Sequence, residues 1–428
     1  MKILHLTTFL QGGAGRVIVD LIAEQQRARH DVSVVTSRTG APGYGHYPAY
    51  LEALYRMDVP VLMVDSLFAR EPGANLAVVR ALDARYPRGS EPDILHAHAA
   101  VPGHIALTCA GARRRPMAIV QTMHGWGVHK TAAQAAADVT VMNLVDRVGV
   151  PSRHAADQLI GLGVATRQVT VVPYGIRPLS ASRDTRDDDV LVEIDRARRD
   201  GAFVIACVGT IGARKNQRLI VEALAHVPKS VAIHAVFVGD GDAEGLRDCA
   251  EAAGVTRRVQ VLGYRPAARQ IAALADALVL PSESEGQPLA VLEAFQDGTL
   301  VVVSDIPELT ELVVDGHSGL TFPARDAVAL AGILTRLVAM PEVLREAMRG
   351  QARAQHAHRH STAAMAQKYE DLYAGALDTT PSGARKRVAP AALVRGRRYA
   401  VRWYGVGASR HHSFRAGFRP RRDPRAGR

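Results

Sequence analysis

Short apolar runs alternate with amphipathic stretches along most of the chain, and the first of them define its repeating unit. Residues 2–8 and 31–36 are apolar and rich in β-branched side chains, which is typical of buried parallel strands. Between them, residues 11–15 form a glycine-rich turn, and residues 16–29 carry apolar side chains at helical spacing. The pattern predicts a βαβ unit whose turn lies at the start of a helix.

A second series of the same kind begins near residue 202. Residues 203–208 form an apolar run that ends in a glycine-bearing turn and a helix. Residues 277–280 form another such run, followed by a polar loop and a helix that starts near Pro288, where proline is tolerated. Since the chain has 428 residues, two series of this length predict two α/β domains.

The composition of successive segments sets the expected boundaries. We predict a first Rossmann-like domain at residues 1–176 and a second at residues 177–360, the latter beginning with a charged interdomain connection. Residues 361–376 read as one helix with an apolar face, and residues 377–428 as a basic, flexible tail.

The overall composition narrows the class of protein. Apolar residues make up 47% of the chain and aromatic residues only 5%, which suits parallel sheets covered by helices on both faces. The three cysteines are far apart and have no metal-ligand spacing, so we expect a reducing compartment. No run reaches the roughly 18 apolar residues of a transmembrane helix.

The stretch 281–298 carries the densest candidate chemistry. Glu285 lies in the loop after an apolar strand, and Glu293 lies eight positions later on the following helix. The free amides of the helix start attract anions, so one carboxylate could bind sugar hydroxyls, the amides phosphate, and the other carboxylate a ribose. The alternative is a solvated loop acid and a helix-surface acid.

Histidines mark the ends of two further predicted strands. His96 and His98 share one face of a strand, and a metal site there is conceivable, but no acidic or cysteine ligand lies nearby. His124 follows the strand 117–121, at the edge where open α/β sheets bind ligands. Trp126 could stack on a sugar ring, the alternative being ordinary packing.

Several ordered motifs between Met1 and Tyr373 resemble those of the retaining GT-B glycosyltransferases of family 4. They are GGAGR, DILHAHAAVPG, TMHG, VGTIGARKNQRLIVEAL and EGQPLAVLE. The resemblance implies the GT-B fold, an α/β architecture of two Rossmann-like domains facing across a cleft, with the last helix crossing back to the first domain.

The resemblance also implies roles for particular residues. Glu285 and His124 would contact the donor sugar, Glu293 the ribose, and Lys215 the donor phosphates, with His124, Lys215 and Glu285 forming the catalytic group. Main-chain or side-chain contacts to the donor are further implied for a larger set. These residues are Gly12, Gly13, Arg214, Gly286, Gln287 and Leu289. His98 and Trp126 would lie on the acceptor side, and no metal ligand is expected.

Two motifs depart from the family pattern. Thr210 stands where the family has a phosphate-binding arginine, although the neighbouring Arg214 could replace its charge. Tyr174 and Arg177 replace an asparagine and an aspartate, so we assign that turn no site.

The expected function is transfer of a sugar from a UDP- or GDP-linked donor to a hydroxyl acceptor, with retention, in cell-surface polysaccharide or glycolipid synthesis. The resemblance implies no cofactor and no metal requirement. Two alternatives remain open, a sugar-nucleotide epimerase of the same architecture and a non-catalytic protein that binds nucleotide sugars or membranes. We identify no general acid/base set that an epimerase would need.

The charge is concentrated at the C-terminus. Residues 381–428 carry 14 Lys and Arg against one Asp, so this segment accounts for the whole excess of the net charge of +11. A solvated tail is the plain interpretation, and arginines with interspersed aromatics also suit an anionic membrane or single-stranded nucleic acid. We favour the membrane over nucleic acid, because a lipid-linked acceptor would explain the basic tail. We therefore expect a cytoplasmic protein that is peripheral to the inner face of the membrane.

Overall fold

The structure is a computed structural model that describes residues 1–38, 40, 44–87, 89–111, 117–127, 130–179 and 188–379. Two fully parallel sheets, each flanked by helices, follow one another along the chain. All strands are largely apolar and have helices on both sides, which is the arrangement that buries a parallel sheet.

The first sheet has seven strands in the order β3-β2-β1-β4-β5-β6-β7. Its strands are β1 (Lys2–Leu6), β2 (Asp31–Ser37), β3 (Val61–Val64), β4 (Ile94–Ala97), β5 (Ala118–Thr122), β6 (Arg147–Val150) and β7 (Val169–Val171). Its helices are α1 (Gly12–Arg27), α2 (Pro48–Arg56), α3 (Pro72–Arg85), α4 (Ala100–Gly111), α5 (Ala132–Leu144) and α6 (Arg153–Gly161).

The second sheet has six strands in the order β10-β9-β8-β11-β12-β13. Its strands are β8 (Phe203–Val208), β9 (Ile233–Val238), β10 (Val259–Gly263), β11 (Ala277–Leu280), β12 (Leu300–Ser304) and β13 (Leu320–Phe322). The helices of this half are α7 (Asp188–Arg199), α8 (Arg218–His226), α9 (Ala243–Ala252), α10 (Ala268–Leu274), α11 (Leu289–Asp297), α12 (Pro307–Thr310), α13 (Ala327–Ala339) and α14 (Glu342–Arg359).

The last helix, α15 (Thr362–Thr379), returns to the first sheet. Tyr373 accepts a hydrogen bond from Gln25 of α1 at 2.8 Å, and Glu370 pairs with His30 at 3.0 Å. Buried Tyr369 and Tyr373 join one apolar cluster that contains residues of both sheets. The predicted crossing helix therefore exists, and it continues to Thr379, three residues beyond the expected boundary.

The strand order reverses at one point in each sheet. The order reverses between β1 and β4 in the first sheet and between β8 and β11 in the second. The loops that follow these four strands diverge to opposite faces of each sheet and leave a crevice between them, where α/β proteins bind ligands. The candidate residues follow β1, β4, β5, β8 and β11, so most of them converge on these crevices.

Three sequence expectations need comment. The glycines at 12–15 are the first turn of α1, whereas the sequence predicted a separate turn before a helix at Arg16. The charged connection contains the helix α7, whose buried Leu191 and Ile194 pack on the core. The basic tail, from residue 380 onward, lies outside the described residues.

Across the helices that the structure describes, none is by itself long and apolar enough to cross a membrane. Helices α13 and α14 reach the required length and apolar composition only when taken together, and the two are bent by 110° at the break between them.

Candidate active site

The loops after β8 and β11 meet through an ion pair. The ammonium of Lys215 lies 2.6 Å from Oε1 of Glu285, and Nη1 of Arg214 lies 3.2 Å from Oε2. Ser282 donates a further hydrogen bond to Oε1 at 2.6 Å. The side chains of Glu285 and Lys215 are 5% and 13% exposed, so this pair is largely removed from solvent.

The charge state of Glu285 follows from these contacts. Burial pushes the pKa of its carboxyl upward, but Lys215, Ser282 and Arg214 outweigh that effect and hold the pKa below its usual value. Glu285 is therefore a carboxylate at neutral pH.

Arg214 compensates only in part for the arginine that the family pattern has at the position of Thr210. Its guanidinium also donates to the carbonyl of Ser284 at 2.9 Å, and its side chain is 55% exposed. Thr210 is exposed, and its carbonyl accepts from the amide of Gln217 at 3.1 Å. The cationic side of the loop after β8 therefore consists of Lys215 with Arg214 beside it.

Glu293 lies one turn inside α11 in a different environment. Within the described ranges its carboxylate has no hydrogen-bond or ion-pair partner, and only the more distant charges of neighbouring residues act on it. Burial raises the pKa of Glu293; Arg269 and Arg16 oppose this rise, and Asp297 and Asp20 add to it. This carboxylate is free to accept hydrogen bonds from a ligand.

The first domain approaches the loop between β11 and α11, residues 281–288 and named the donor loop, at two points. A Cβ at Gly13 would contact the Leu289 side chain at 3.4 Å, so the starts of α1 and α11 lie against each other. A Cβ at Gly286 would lie 2.7 Å from the carbonyl oxygen of His124, which no larger residue could tolerate. Gly12 lies at the same helix start, where its carbonyl accepts from Tyr50 at 3.1 Å.

Gln287 and Tyr174 also connect the two domains. The side-chain oxygen of Gln287 accepts a hydrogen bond from the backbone N–H of Tyr174 at 2.6 Å. The Tyr174 hydroxyl in turn lies 2.7 Å from Nδ1 of His124. The turn to which the sequence assigned no site thus contacts two predicted site residues.

His124 and His98 are joined directly, because Nε2 of His124 lies 3.1 Å from Nδ1 of His98. Both nitrogens of each ring are therefore occupied, since Nε2 of His98 lies 2.9 Å from Nδ1 of His5. Burial lowers the pKa of His124 to about 4 and that of His98 well below its usual value. Both imidazoles are neutral at physiological pH.

The hydrogen bonds continue into the core from His5. Its Nε2 lies 2.8 Å from Oε1 of Gln25, and the Gln25 amide donates to the Tyr373 hydroxyl at 2.8 Å. The same hydroxyl lies 2.8 Å from Nδ1 of His96. This hydrogen-bonded chain ends in two contacts. Nε2 of His96 lies 2.8 Å from the Thr122 hydroxyl, which lies 3.0 Å from the Tyr369 hydroxyl.

Three of these histidines have the geometry of a metal cluster. Ligand nitrogens of His5, His96 and His98 lie within 4.8 Å of one another. Each ring nitrogen already has a hydrogen-bond partner, and the residues that the structure describes offer a buried divalent ion no anionic ligand there to offset its desolvation. The arrangement therefore favours a hydrogen-bonded chain over a metal site.

Trp126 lies in a separate cluster on the first domain. The Lys130 ammonium is 3.5 Å from the centre of its ring, a cation–π contact, and also 2.9 Å from Asp138. Arg70 binds the same carboxylate through two hydrogen bonds of 2.7 and 2.8 Å.

Sequence reasoning missed four contributors, which are His5, Gln25, Tyr174 and Arg177. His5 on β1 is in register with His96 on β4, and Gln25 lies on α1, but neither residue is part of a recognisable local motif. Arg177 pairs with buried Asp20 of α1 at 2.5 Å, while its carbonyl accepts from Arg269 of α10 at 2.8 Å. The departures at Tyr174 and Arg177 were the available signal, because both mark contacts between domains.

Comparison with known proteins agrees with this architecture. The family model described as Glycosyltransferase Family 4 matches residues 11–178, and the model described as Glycosyl transferases group 1 matches residues 193–355. One model thus falls on each sheet, and together they span most of the chain.

Individual relatives point the same way. The D-inositol 3-phosphate glycosyltransferase of Nocardia farcinica is 27% identical over 308 residues, which cover 67% of this chain and 67% of the relative. The UDP-Gal:alpha-D-GlcNAc-diphosphoundecaprenol alpha-1,3-galactosyltransferase of Escherichia coli is 27% identical over 260 residues, 57% of this chain and 66% of the relative.

A solved structure of HepE (Alr3699) from Anabaena, in complex with UDP and glucose, has the same fold. Its TM-score is 0.72 at 20% identity, over 87% of this chain and 99% of that chain.

Two Rossmann-like domains with a returning C-terminal helix define the GT-B class, and this chain is a GT-B glycosyltransferase. Its two matched regions are those of the family 4, group 1 glycosyltransferases of polysaccharide and glycolipid synthesis. The fold expected from the sequence is confirmed, whereas retention, the donor and the metal requirement stay predictions.

Proposed function

We propose that this enzyme transfers a hexose from a UDP- or GDP-linked donor to a hydroxyl of a lipid-linked acceptor, with retention of configuration. The observation that carries this proposal is the buried Glu285–Lys215 pair at the start of α11. It puts a fixed carboxylate and a fixed ammonium beside a helix N-terminus, and the next residue, Gly286, lies against the carbonyl of His124 of the first domain.

The diphosphate leaving group needs positive charge and N–H donors. Lys215 keeps further ammonium protons besides the one that faces Glu285, and Arg214 lies beside it. The first amides of α1, near Gly12 and Gly13, and the amides of Gln287 and Leu289 add oriented donors. Pro288 has no N–H to contribute.

The sugar and the ribose need hydrogen-bond acceptors. Glu285 would bind hydroxyls of the transferred sugar and stabilise the oxocarbenium-like transition state electrostatically, with His124 on the opposite side. Glu293, a carboxylate without a protein partner among the described residues, would accept hydrogen bonds from the ribose hydroxyls. Binding of the ribose would offset the cost of having desolvated that carboxylate.

The acceptor would enter from the first domain. Trp126 with Lys130 offers an apolar ring beside a cation, which suits a sugar linked to a phosphate. The E. coli relative is named for a diphosphoundecaprenol-linked acceptor, which supports a lipid-linked acceptor for this chain. In the reaction we propose, the leaving phosphate takes the acceptor proton, so no side-chain general base and no metal ion is required.

The basic tail fits such an acceptor. Each lysine or arginine close to an anionic bilayer contributes about 1 kcal/mol, so a fraction of its 14 cations would hold the enzyme at the membrane. We propose a cytoplasmic enzyme that is peripheral to the inner face of the membrane.

Thermal shift and donor hydrolysis against a panel of UDP-, GDP- and ADP-sugars, with and without EDTA, test the proposal. We expect stabilisation by one donor class and slow hydrolysis that EDTA leaves unchanged. Loss of hydrolysis with EDTA would refute metal independence. No stabilisation by any donor would refute the enzymatic proposal and favour a chain disabled by Thr210.

A further inference from the structure

The hydrogen-bonded chain has nine members, which are Tyr174, His124, His98, His5, Gln25, Tyr373, His96, Thr122 and Tyr369. One of them sets the direction in which the hydrogen bonds toward His124 are donated. An imidazole can exchange its proton between nitrogens and a hydroxyl can rotate, so both accept either direction. The Gln25 amide cannot, because its oxygen only accepts and its nitrogen only donates. The orientation of Gln25 therefore determines every donor and acceptor between it and His124, because only neutral imidazoles lie on that path.

The direction toward the active site follows in three steps. Oε1 of Gln25 accepts, so His5 must donate from Nε2. Because the His5 ring is neutral, its Nδ1 carries no proton. That bare nitrogen must accept from Nε2 of His98. By the same reasoning, Nδ1 of His98 accepts from Nε2 of His124, which leaves Nδ1 of His124 as an acceptor.

Tyr174 occupies that acceptor. Its hydroxyl donates to Nδ1 of His124 at 2.7 Å, and its backbone N–H is bound by Gln287 of the donor loop. The carbonyl of His124 lies against Gly286 of the same loop. The phenol thus fills, on this ring, an acceptor that a sugar hydroxyl could also fill.

We propose that Gln25 is a positioning residue that, through His5 and His98, holds His124 with its proton on Nε2, and that the Tyr174 hydroxyl is a placeholder which a donor-sugar hydroxyl displaces from Nδ1. The inference rests on the proposed function for the sugar contact alone. It means that the site selects a sugar that offers a hydroxyl, as a donor of a hydrogen bond, at this point.

The direction of hydrogen-bond donation along this chain can be measured without any nucleotide-sugar donor. Full-length enzyme labelled with ¹⁵N-histidine should show, by long-range proton–nitrogen correlation, that His124 carries its proton on Nε2, with His124→Gln identifying the signals. In Gln25→Met this preference should be lost. Tyr369→Phe removes a buried hydroxyl at the far end of the chain and should leave His124 unchanged.

A native His124 protonated on Nδ1, or a Gln25→Met variant that keeps the Nε2 proton, would overturn the positioning role. We further expect kcat/KM of Gln25→Met to fall about tenfold, the effect of one misdirected hydrogen bond, with kcat/KM of Tyr369→Phe unchanged.

The placeholder is tested separately with Tyr174→Phe, which removes only the hydroxyl. With UDP-glucose, UDP-galactose and GDP-mannose as probes, the donor that stabilises the native enzyme should bind Tyr174→Phe several-fold more tightly, because no phenol has to be displaced. Unchanged or weaker binding would overturn the placeholder. If instead His124→Gln leaves the donor KM unchanged, the sugar contact in the proposed function is wrong while the directional chain stands.

Discussion

The ammonium of Lys215 and the carboxylate of Glu285 lie 2.6 Å apart at the ends of two neighbouring strands of the second sheet. Each side chain holds the other in place before any donor arrives, so the cation that we assign to the phosphate and the anion that we assign to the sugar would already be oriented. Preorganised charges of this kind need little rearrangement during reaction, which is why they stabilise a transition state effectively.

Replacement of Glu285 by glutamine should abolish most of the activity. The variant keeps the shape of the side chain but removes the charge opposite the developing oxocarbenium ion, so we expect transfer to fall by about 100-fold or more. Glu283→Gln is the matched control, since Glu283 lies in the same loop but pairs with Arg325 at 2.6 Å. Equal losses in both variants, measured as initial rates with the selected donor, would contradict the assigned role.

Replacement of Lys215 by methionine should move the acid limb of the pH–activity profile to higher pH. Burial raises the pKa of Glu285, and Lys215 is the largest influence that lowers it. Because the folded-state pKa is lowered, the stabilisation from this pair is present above the unfolded pKa and is lost as the pH falls through the folded value. Rates measured from pH 3 to 8 check the shift, and Lys229→Met serves as an exposed control.

Glu293→Gln should stabilise the free enzyme and weaken donor binding. The folded-state pKa of Glu293 is raised, so this carboxylate costs stability as the pH rises through that value, and its removal should add about 1 kcal/mol at neutral pH. Thermal melts with and without donor measure both effects. Exposed Glu251→Gln is the control, and a Glu293→Gln variant that melts lower without donor would show that the carboxylate has a stabilising partner.

The buried histidines should make the protein sensitive to mild acid. Burial lowers the pKa of His5 and of His124 to about 4, against an ordinary 6.5, so the unfolded chain binds more protons than the folded one between these values. Stability therefore falls as the pH drops from 6.5 to 4, by about 3 kcal/mol for each such histidine.

Chemical denaturation of His5→Gln across this range should show a shallower loss than the native chain. The exposed His317→Gln should follow the native curve. Identical slopes for all three proteins would mean that His5 is not neutral in the fold.

Removal of residues 380–428 should release the enzyme from anionic vesicles and leave donor hydrolysis intact. The deleted segment carries the excess positive charge of the chain and begins after α15 ends at Thr379. Sedimentation with phosphatidylglycerol vesicles, compared with phosphatidylcholine vesicles at two salt concentrations, measures this. Equal binding by the truncated chain would assign the membrane contact elsewhere, and preferential binding to single-stranded oligonucleotides would favour the nucleic-acid alternative.

The sequence by itself determined the features that depend on neighbouring residues. Alternating apolar runs and amphipathic stretches predict two parallel sheets, because burial of a strand on both faces and of a helix on one leaves a local pattern. The positions of Glu285 and Lys215 after their strands follow in the same way, since the loops at the carboxyl ends of adjacent parallel strands must meet.

Only the tertiary structure decided which distant side chains become partners. Gln25 meets Tyr373 across 348 positions, and His5 meets His98 because β1 lies between β2 and β4 in the sheet. Glu293 and Glu285 look alike in sequence, yet one is left without a partner among the described residues and the other is ion-paired. Strand order and domain packing set these environments, and neither is written in any local stretch of residues.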